Sequence, residues 1–81
     1  MRILVVEDEI ELAEALATGL RREGYAVDVA NDVAGALDRL FVSAYDLVTL
    51  DLNLPDGDGL ELARRIREDP ALSLIHISEP T

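Results

Sequence analysis

Two short apolar runs, each ending in acid, constrain this chain more than any other feature. Leu47-Val48-Thr49-Leu50 runs straight into Asp51, and the chain then turns through Pro55, Gly57 and Gly59. Ile3-Leu4-Val5-Val6 runs in the same way into Glu7-Asp8-Glu9. Runs this short, rich in branched side chains and bounded by turn formers, read as parallel strands buried on both faces. The acids then sit at the carboxyl ends of their strands, the edge at which open α/β sheets bind ligands.

The rest of the pattern is helical, with one further strand. Residues 10–23 place Ile10, Ala13, Leu16, Ala17 and Leu20 on one helical face, with Glu11, Glu14, Thr18, Arg21 and Arg22 outside. Acids in the first turn and Arg in the last complement the helix dipole, and Gly24 supplies the stop. Residues 25–30 alternate as a short strand. Asn31 or Asp32 is the natural N-cap of a second helix over 33–43, whose inner face is Val33, Ala36, Leu37, Leu40 and Phe41. A third helix over 59–69 turns Leu60, Ala63 and Ile66 inward. Outside, it pairs Glu61 with Arg65 and Arg64 with Glu68, and Pro70 closes it. The order βαβαβα with right-handed crossovers predicts an α/β fold: a truncated flavodoxin-like parallel sheet of strand order 2-1-3 with three helices.

Charge and composition exclude several partners. The formal net charge is −10, and all seven basic residues are Arg. That balance argues against direct contact of this segment with nucleic acid or an anionic membrane, and suits cations or a basic protein surface. The N-terminal apolar run is too short for a signal peptide or a membrane span. The absence of Cys fits a reducing compartment. One small domain in the cytoplasm is therefore the expectation.

If the first and third strands are neighbours, Glu7, Asp8 and Asp51 share one pocket. Two unit charges 4 Å apart repel by about 4 kcal/mol at an effective dielectric of about 20. Such a cluster takes up protons, spreads, or binds a cation. Oxygen ligands without His or Cys point to Mg²⁺ before Ca²⁺. An Asp carboxylate is also a competent nucleophile toward phosphorus, and Mg²⁺ beside it would neutralise the incoming phosphoryl group. Asn53 lies two residues on, where its backbone carbonyl can reach the same ion. The bland readings stand beside these: Glu7 and Asp8 as a solvated helix start, Asp51 as a strand-end acid or cap, Asn53 as a turn former. Asp56 and Asp58 are read as turn and N-cap residues rather than ligands.

Together, these residues at this spacing resemble the receiver domain of bacterial two-component response regulators. The resemblance covers residues 1–71. It is carried by Ile3-Leu4-Val5-Val6-Glu7-Asp8-Glu9, Gly24-Tyr25, Asp46-Leu47-Val48 and Asp51-Leu52-Asn53-Leu54-Pro55-Asp56-Gly57-Asp58-Gly59. It implies that Asp51 is the phospho-acceptor, that Glu7, Asp8 and Asp51 hold Mg²⁺, and that Asn53 adds its backbone carbonyl. It implies a sensor histidine kinase as partner. The role is that of a phospho-acceptor with autodephosphorylation at most, and not of an enzyme acting on a separate substrate. Residues 2–37 look most like receivers joined to a winged-helix DNA-binding domain, which this chain lacks.

The chain also departs from the family. Receivers carry a Ser or Thr at the end of a fourth strand and a Lys at the end of a fifth; this sequence has no Lys. The surface made by the fourth helix, fifth strand and fifth helix, used for dimerisation and output, is absent. Leu72-Ser73-Leu74-Ile75-His76-Ile77-Ser78-Glu79-Pro80-Thr81 breaks the charged pattern before it. It looks like the translation of a transposon-end sequencing adapter, so the native truncated receiver is expected to span 1–71 and 72–81 to be read-through. The alternative is a fourth strand over 74–77, covering a third strand otherwise left at the sheet edge. On the first reading His76 and Ser78 have no role.

Two other functions share parts of the pattern. A haloacid-dehalogenase-type phosphohydrolase also uses a strand-end Asp with Mg²⁺. It requires a second Asp two residues on, where this chain has Asn53, and its nucleophile follows the first strand. A Ca²⁺ loop of the EF-hand kind starts Asp-x-Asn, but Pro55 and Asp56 occupy positions that pattern needs otherwise. The remaining alternative is an α/β fragment without activity.

Overall fold

A computed structural model describes residues 1–51 and 53–78. In chain order its elements are β1 (Arg2–Val6), α1 (Ile10–Arg22), β2 (Ala26–Ala30), α2 (Val33–Val42), β3 (Leu47–Leu50), β4 (Asn53–Leu54), β5 (Gly57–Asp58), α3 (Gly59–Glu68) and β6 (His76–Ser78). Four strands form one sheet of order β2-β1-β3-β6, and β4 and β5 form a separate antiparallel ribbon. β1 runs parallel to both neighbours, in register from Arg2↔Ala26 to Val6↔Ala30 and from Ile3↔Leu47 to Val6↔Leu50. The predicted order 2-1-3 holds, and the fourth strand is present, with His76–Ser78 parallel to Leu47–Thr49. Residues 79–81 of the tail and Leu52 lie outside the described residues.

Ile3, Leu4, Val5 and Val6 are all buried, so β1 must be covered on both faces. Alternation along the strand sends Leu4 and Val6 to one side and Ile3 and Val5 to the other. The first side is the thicker. There Leu4, Val6, Val48 and Leu50 pack with Ala36 and Leu40 of α2 and with Leu62, Ala63 and Ile66 of α3. On the second side, among the described residues, α1 covers the sheet, through Ala13 and Ala17 against Ile3, Val5 and Val27, with Leu20 packed beside them. Leu72, Ile75 and Ile77 of the tail pack against the thicker side.

Helix ends follow local chemistry. Gly24 takes φ +95°, with Gly24 N–H bonded to Arg21 O and Tyr25 N–H to Leu20 O, the paired bonds of a Schellman stop. Asp32, one of the two candidates, caps α2 by accepting from Gly35 N–H at 2.7 Å. Asp58 caps α3 by accepting from Leu60 N–H at 2.9 Å.

Some expected inner faces are corrected. Phe41 is 92% exposed and Leu60 53% exposed. The buried stripe of α2 centres on Ala36 and Leu40; at about 100° per residue Phe41 stands roughly 120° round from that centre. α3 buries Gly59, Leu62, Ala63 and Ile66, an i, i+3, i+4, i+7 stripe that leaves Leu60 outside. On α1, Ile10 and Leu16 are exposed as well; the helix meets the sheet through the buried Ala13 and Ala17, with Leu20 partly buried beside them. Glu61 bonds Arg64, and not the expected Arg65; Arg64 also bonds Glu68 at 2.7 Å. Among the described residues no helix is long and apolar enough to cross a membrane.

Candidate metal centre

The register of the sheet brings the two acid-ended strands level. Val6 pairs with Leu50, and the ladder runs one step further, with Asp51 N–H donating to Val6 O at 3.0 Å. On the other side of β1, Glu7 N–H donates to Ala30 O at 3.0 Å. Glu7 and Asp51 therefore leave the sheet side by side. Asp8 follows on the turn into α1. One carboxylate oxygen from each of Glu7, Asp8 and Asp51 lies within 4.8 Å of the others, the three acids that the sequence placed together. Glu7 and Asp51 are half-buried and Asp8 is exposed.

The electrostatics match that crowding. The Glu7 carboxyl is raised above its ordinary value, first by burial. The Glu9 backbone N–H, 3.2 Å from Oε1, opposes this, and the neighbouring Asp51 and Asp8 add to it. Octahedral Mg²⁺ takes oxygens at about 2.0–2.1 Å, so ligands opposite one another stand about 4.2 Å apart. The three carboxylates already lie near that span. Their all-oxygen chemistry fits a hard cation, and carboxylates this close gain from one.

Asn53 stands at the start of the β4–β5 ribbon, paired with Asp58, and its N–H donates to Asp51 Oδ1 at 3.2 Å. The loop backbone after β3 is thereby tied to the carboxylate. Asp58 serves as the expected N-cap. Asp56 sits at the ribbon's turn as expected, but it does more. Its Oδ1 accepts from Val33 N–H at 2.7 Å and its Oδ2 from Ala34 N–H at 3.0 Å, across more than twenty residues. These bonds hold the Asp56 carboxyl below its usual range. Asn31, the unused cap candidate, donates from Nδ2 to Glu7 O at 2.9 Å. No local signal announces either contact.

A groove of about 430 Å³ runs from this site along α1. Leu12, Leu16 and Leu20 line one wall and Thr49 the other, with Glu7 and Asp51 at its acidic end. Ser78 of the tail, opposite Thr49 in register, lines the same groove. His76 begins β6, and its N–H donates to Asp46 O at the far end of the strand.

Comparison with known proteins gives consistent matches. Residues 3–80 match the family model of the response regulator receiver domain. The chain is 57% identical over 68 residues to the transcriptional regulatory protein CutR of Streptomyces coelicolor, a match that spans 84% of this chain and 31% of that protein. The N-terminal domain of a response regulator receiver protein from Methanoculleus marisnigri superposes with a TM-score of 0.93 at 35% identity, covering 99% of this chain and 65% of that one. The response regulator TrrA from Thermotoga maritima, solved in complex with Mg²⁺-BeF, superposes with a TM-score of 0.81 at 32% identity, covering 99% of this chain and 86% of that one. The chain thus spans about a third of the length of the curated relative it matches.

Proposed function

The chain belongs to the response regulator receiver family, and from that premise we propose that Asp51 accepts a phosphoryl group while Glu7, Asp8, Asp51 and the Asn53 backbone carbonyl hold Mg²⁺. The observation that carries the reading is the convergence of three carboxylates within 4.8 Å at the ends of two adjacent strands. A related receiver solved with Mg²⁺-BeF supports the choice of ion.

In the proposed step an Asp51 oxygen attacks the phosphorus of a phosphohistidine on a sensor histidine kinase. The new P–O bond forms as the P–N bond breaks, and the freed imidazole takes up a proton. Bound Mg²⁺ would neutralise the transferring oxygens and keep the attacking and leaving atoms in line. The chain's own part is to present Asp51 half-buried at a fixed strand end, its Oδ1 held by Asn53 N–H. In the whole protein the phosphorylated domain would govern a winged-helix DNA-binding effector in the cytoplasm, consistent with relatives named as transcriptional regulators. The role is that of a signalling acceptor and not of a turnover enzyme.

Residues 72–81 we read as adapter-derived; of these, His76–Ser78 pair beside β3, and Ile75 and Ile77 are apolar enough to pack against the core. Adapter codons in the underlying DNA are expected; unrelated codons there would refute this. With no Lys in the sequence, retention of the phosphoryl group is expected to be short. The test is labelling with a small acyl phosphate and Mg²⁺, read as one added phosphoryl group by intact mass. Wild-type chain should label and Asp51→Asn should not; equal labelling of the two would reject Asp51 as the acceptor.

A further inference from the structure

α2 carries two caps, and one would suffice. Its third free N–H, on Gly35, is taken locally by Asp32 at 2.7 Å. Its first two, on Val33 and Ala34, are taken by the two oxygens of Asp56, from a different loop. A helix start needs no partner so distant in sequence, since water satisfies exposed N–H groups as well. The consequence of the long-range bonds falls on the other side, on the β4–β5 ribbon that bears Asp56.

That ribbon is pressed onto α2. A Cβ added at Gly57 would lie 3.0 Å from Val33 Cγ2, so the ribbon's turn has little room to shift. The same ribbon begins at Asn53, whose N–H holds Asp51 Oδ1. The segment on which Asp56 docks is itself anchored to the acid pair, because Asn31 Nδ2 donates to Glu7 O at 2.9 Å. A run of bonds therefore links Glu7 to Asp51 through the start of α2 and the ribbon: Asn31 to Glu7, Val33 and Ala34 to Asp56, and Asn53 to Asp51.

We infer that Asp56 is a positioning residue of the metal site. It does not touch the ion. It clamps the ribbon to α2 so that Asn53 and Asp51 stay at coordinating distance from Glu7 and Asp8. The inference rests on the Mg²⁺ reading of the cluster. Partners that orient metal ligands typically change affinity by about 10–100-fold when removed.

The test is titration calorimetry of Mg²⁺ into the 81-residue chain and three variants, each with its thermal midpoint. Asp56→Ala should weaken Mg²⁺ binding by about tenfold. Asp56→Asn keeps an amide oxygen for one of the two N–H groups and should fall between. Asp32→Ala removes the local cap of the same helix and should lower the midpoint, yet leave Mg²⁺ affinity within about twofold, well short of that tenfold loss. Unchanged affinity in Asp56→Ala would overturn the inference, as would an equal loss in Asp32→Ala, which would trace the effect to helix integrity. Should Asp56→Ala not fold, unchanged affinity in Asp56→Asn overturns it equally. If wild-type chain binds no Mg²⁺, the reading of the cluster itself fails and takes this inference with it.

Discussion

Both ends of β1 meet carboxylates, and the two ends treat them in opposite ways. Around Arg2, at the amino end, each acid meets donors. Asp28 accepts from Tyr45 OH at 2.6 Å and from Arg2 Nη1 at 3.0 Å, and Asp46 accepts from Arg2 N–H at 2.8 Å. Beyond Val6, at the carboxyl end, Glu7, Asp8 and Asp51 converge on one another. The residue types are the same; the supply of donors differs. Paired acids stabilise the folded chain. Converging acids cost stability and keep a place for a cation, the kind of local inconsistency that marks a functional site.

The sharpest way to break this comparison is to remove one charge at the paired end. Hydrogen bonds to charged groups contribute about 1.5–3 kcal/mol, and Asp28 is partly exposed, so Asp28→Asn should destabilise the chain by about 1–2 kcal/mol in urea unfolding. The pH dependence gives the same result independently. Tyr45 OH first, and then Arg2, hold the Asp28 carboxyl below its usual 3.8, against the opposing effect of burial. Its contribution is therefore fully present above about pH 4 and is lost as pH falls through the lowered value. Burial first, and then Asp28, push the Tyr45 hydroxyl from 10.0 up to about 12. That contribution is present below pH 10 and is lost as pH rises toward about 12. Wild-type stability should fall on both limbs, whereas Asp28→Asn should flatten the acid limb and shrink the alkaline one. A neutral Asp28→Asn with wild-type limbs would erase the contrast between the two ends.

The same substitution at the other end should act with opposite sign. Without divalent metal, Asp51→Asn relieves repulsion among the three carboxylates and should stabilise the chain by about 1 kcal/mol, the size of one contact between part-solvated charges. The amide oxygen can still accept from Asn53 N–H, so no bond need be lost. With Mg²⁺ at ten times its dissociation constant, wild-type chain should gain about 1.4 kcal/mol and the variant nothing, reversing their order. Denaturant midpoints with and without Mg²⁺ read both effects. A destabilising Asp51→Asn in metal-free buffer would mean that the carboxyl end is held together like the amino end.

The contrast was only half legible in the sequence. Glu7, Asp8 and Asp51 could be placed together because each follows directly on an apolar run, and parallel neighbours bring such ends level. Asp28 gave no such signal, because its partner Tyr45 lies seventeen residues away in a loop without period. Asp56 and Asn31 stayed hidden for the same reason. Helix faces were read to within about a third of a turn, which located Ala36, Leu40 and Ala63 but misplaced Phe41 and Leu60. Periodicity gives the direction of a buried stripe. How wide the stripe is depends on what packs over it, and on α1 only Ala13 and Ala17 are fully covered.

A third set of acids shows that pairing alone does not make a charge count. On α3, Arg64 bonds both Glu61 and Glu68, and it lowers the Glu61 carboxyl and is itself raised by the two of them. By contact the arrangement is as complete as that around Arg2. But all three side chains are more than half exposed, whereas Asp28 is 25% exposed and accepts a phenol hydroxyl from a buried tyrosine. Water and salt screen the α3 pairs, and three flexible side chains lose entropy in forming them. Arg64→Ala should therefore shift the thermal midpoint by much less than Asp28→Asn, and the residual shift should vanish in about 1 M salt, where the screening length is roughly 3 Å. An Arg64→Ala loss that matched Asp28→Asn and survived high salt would show that the number of partners, and not their removal from water, sets the difference between stabilising and idle acids in this chain.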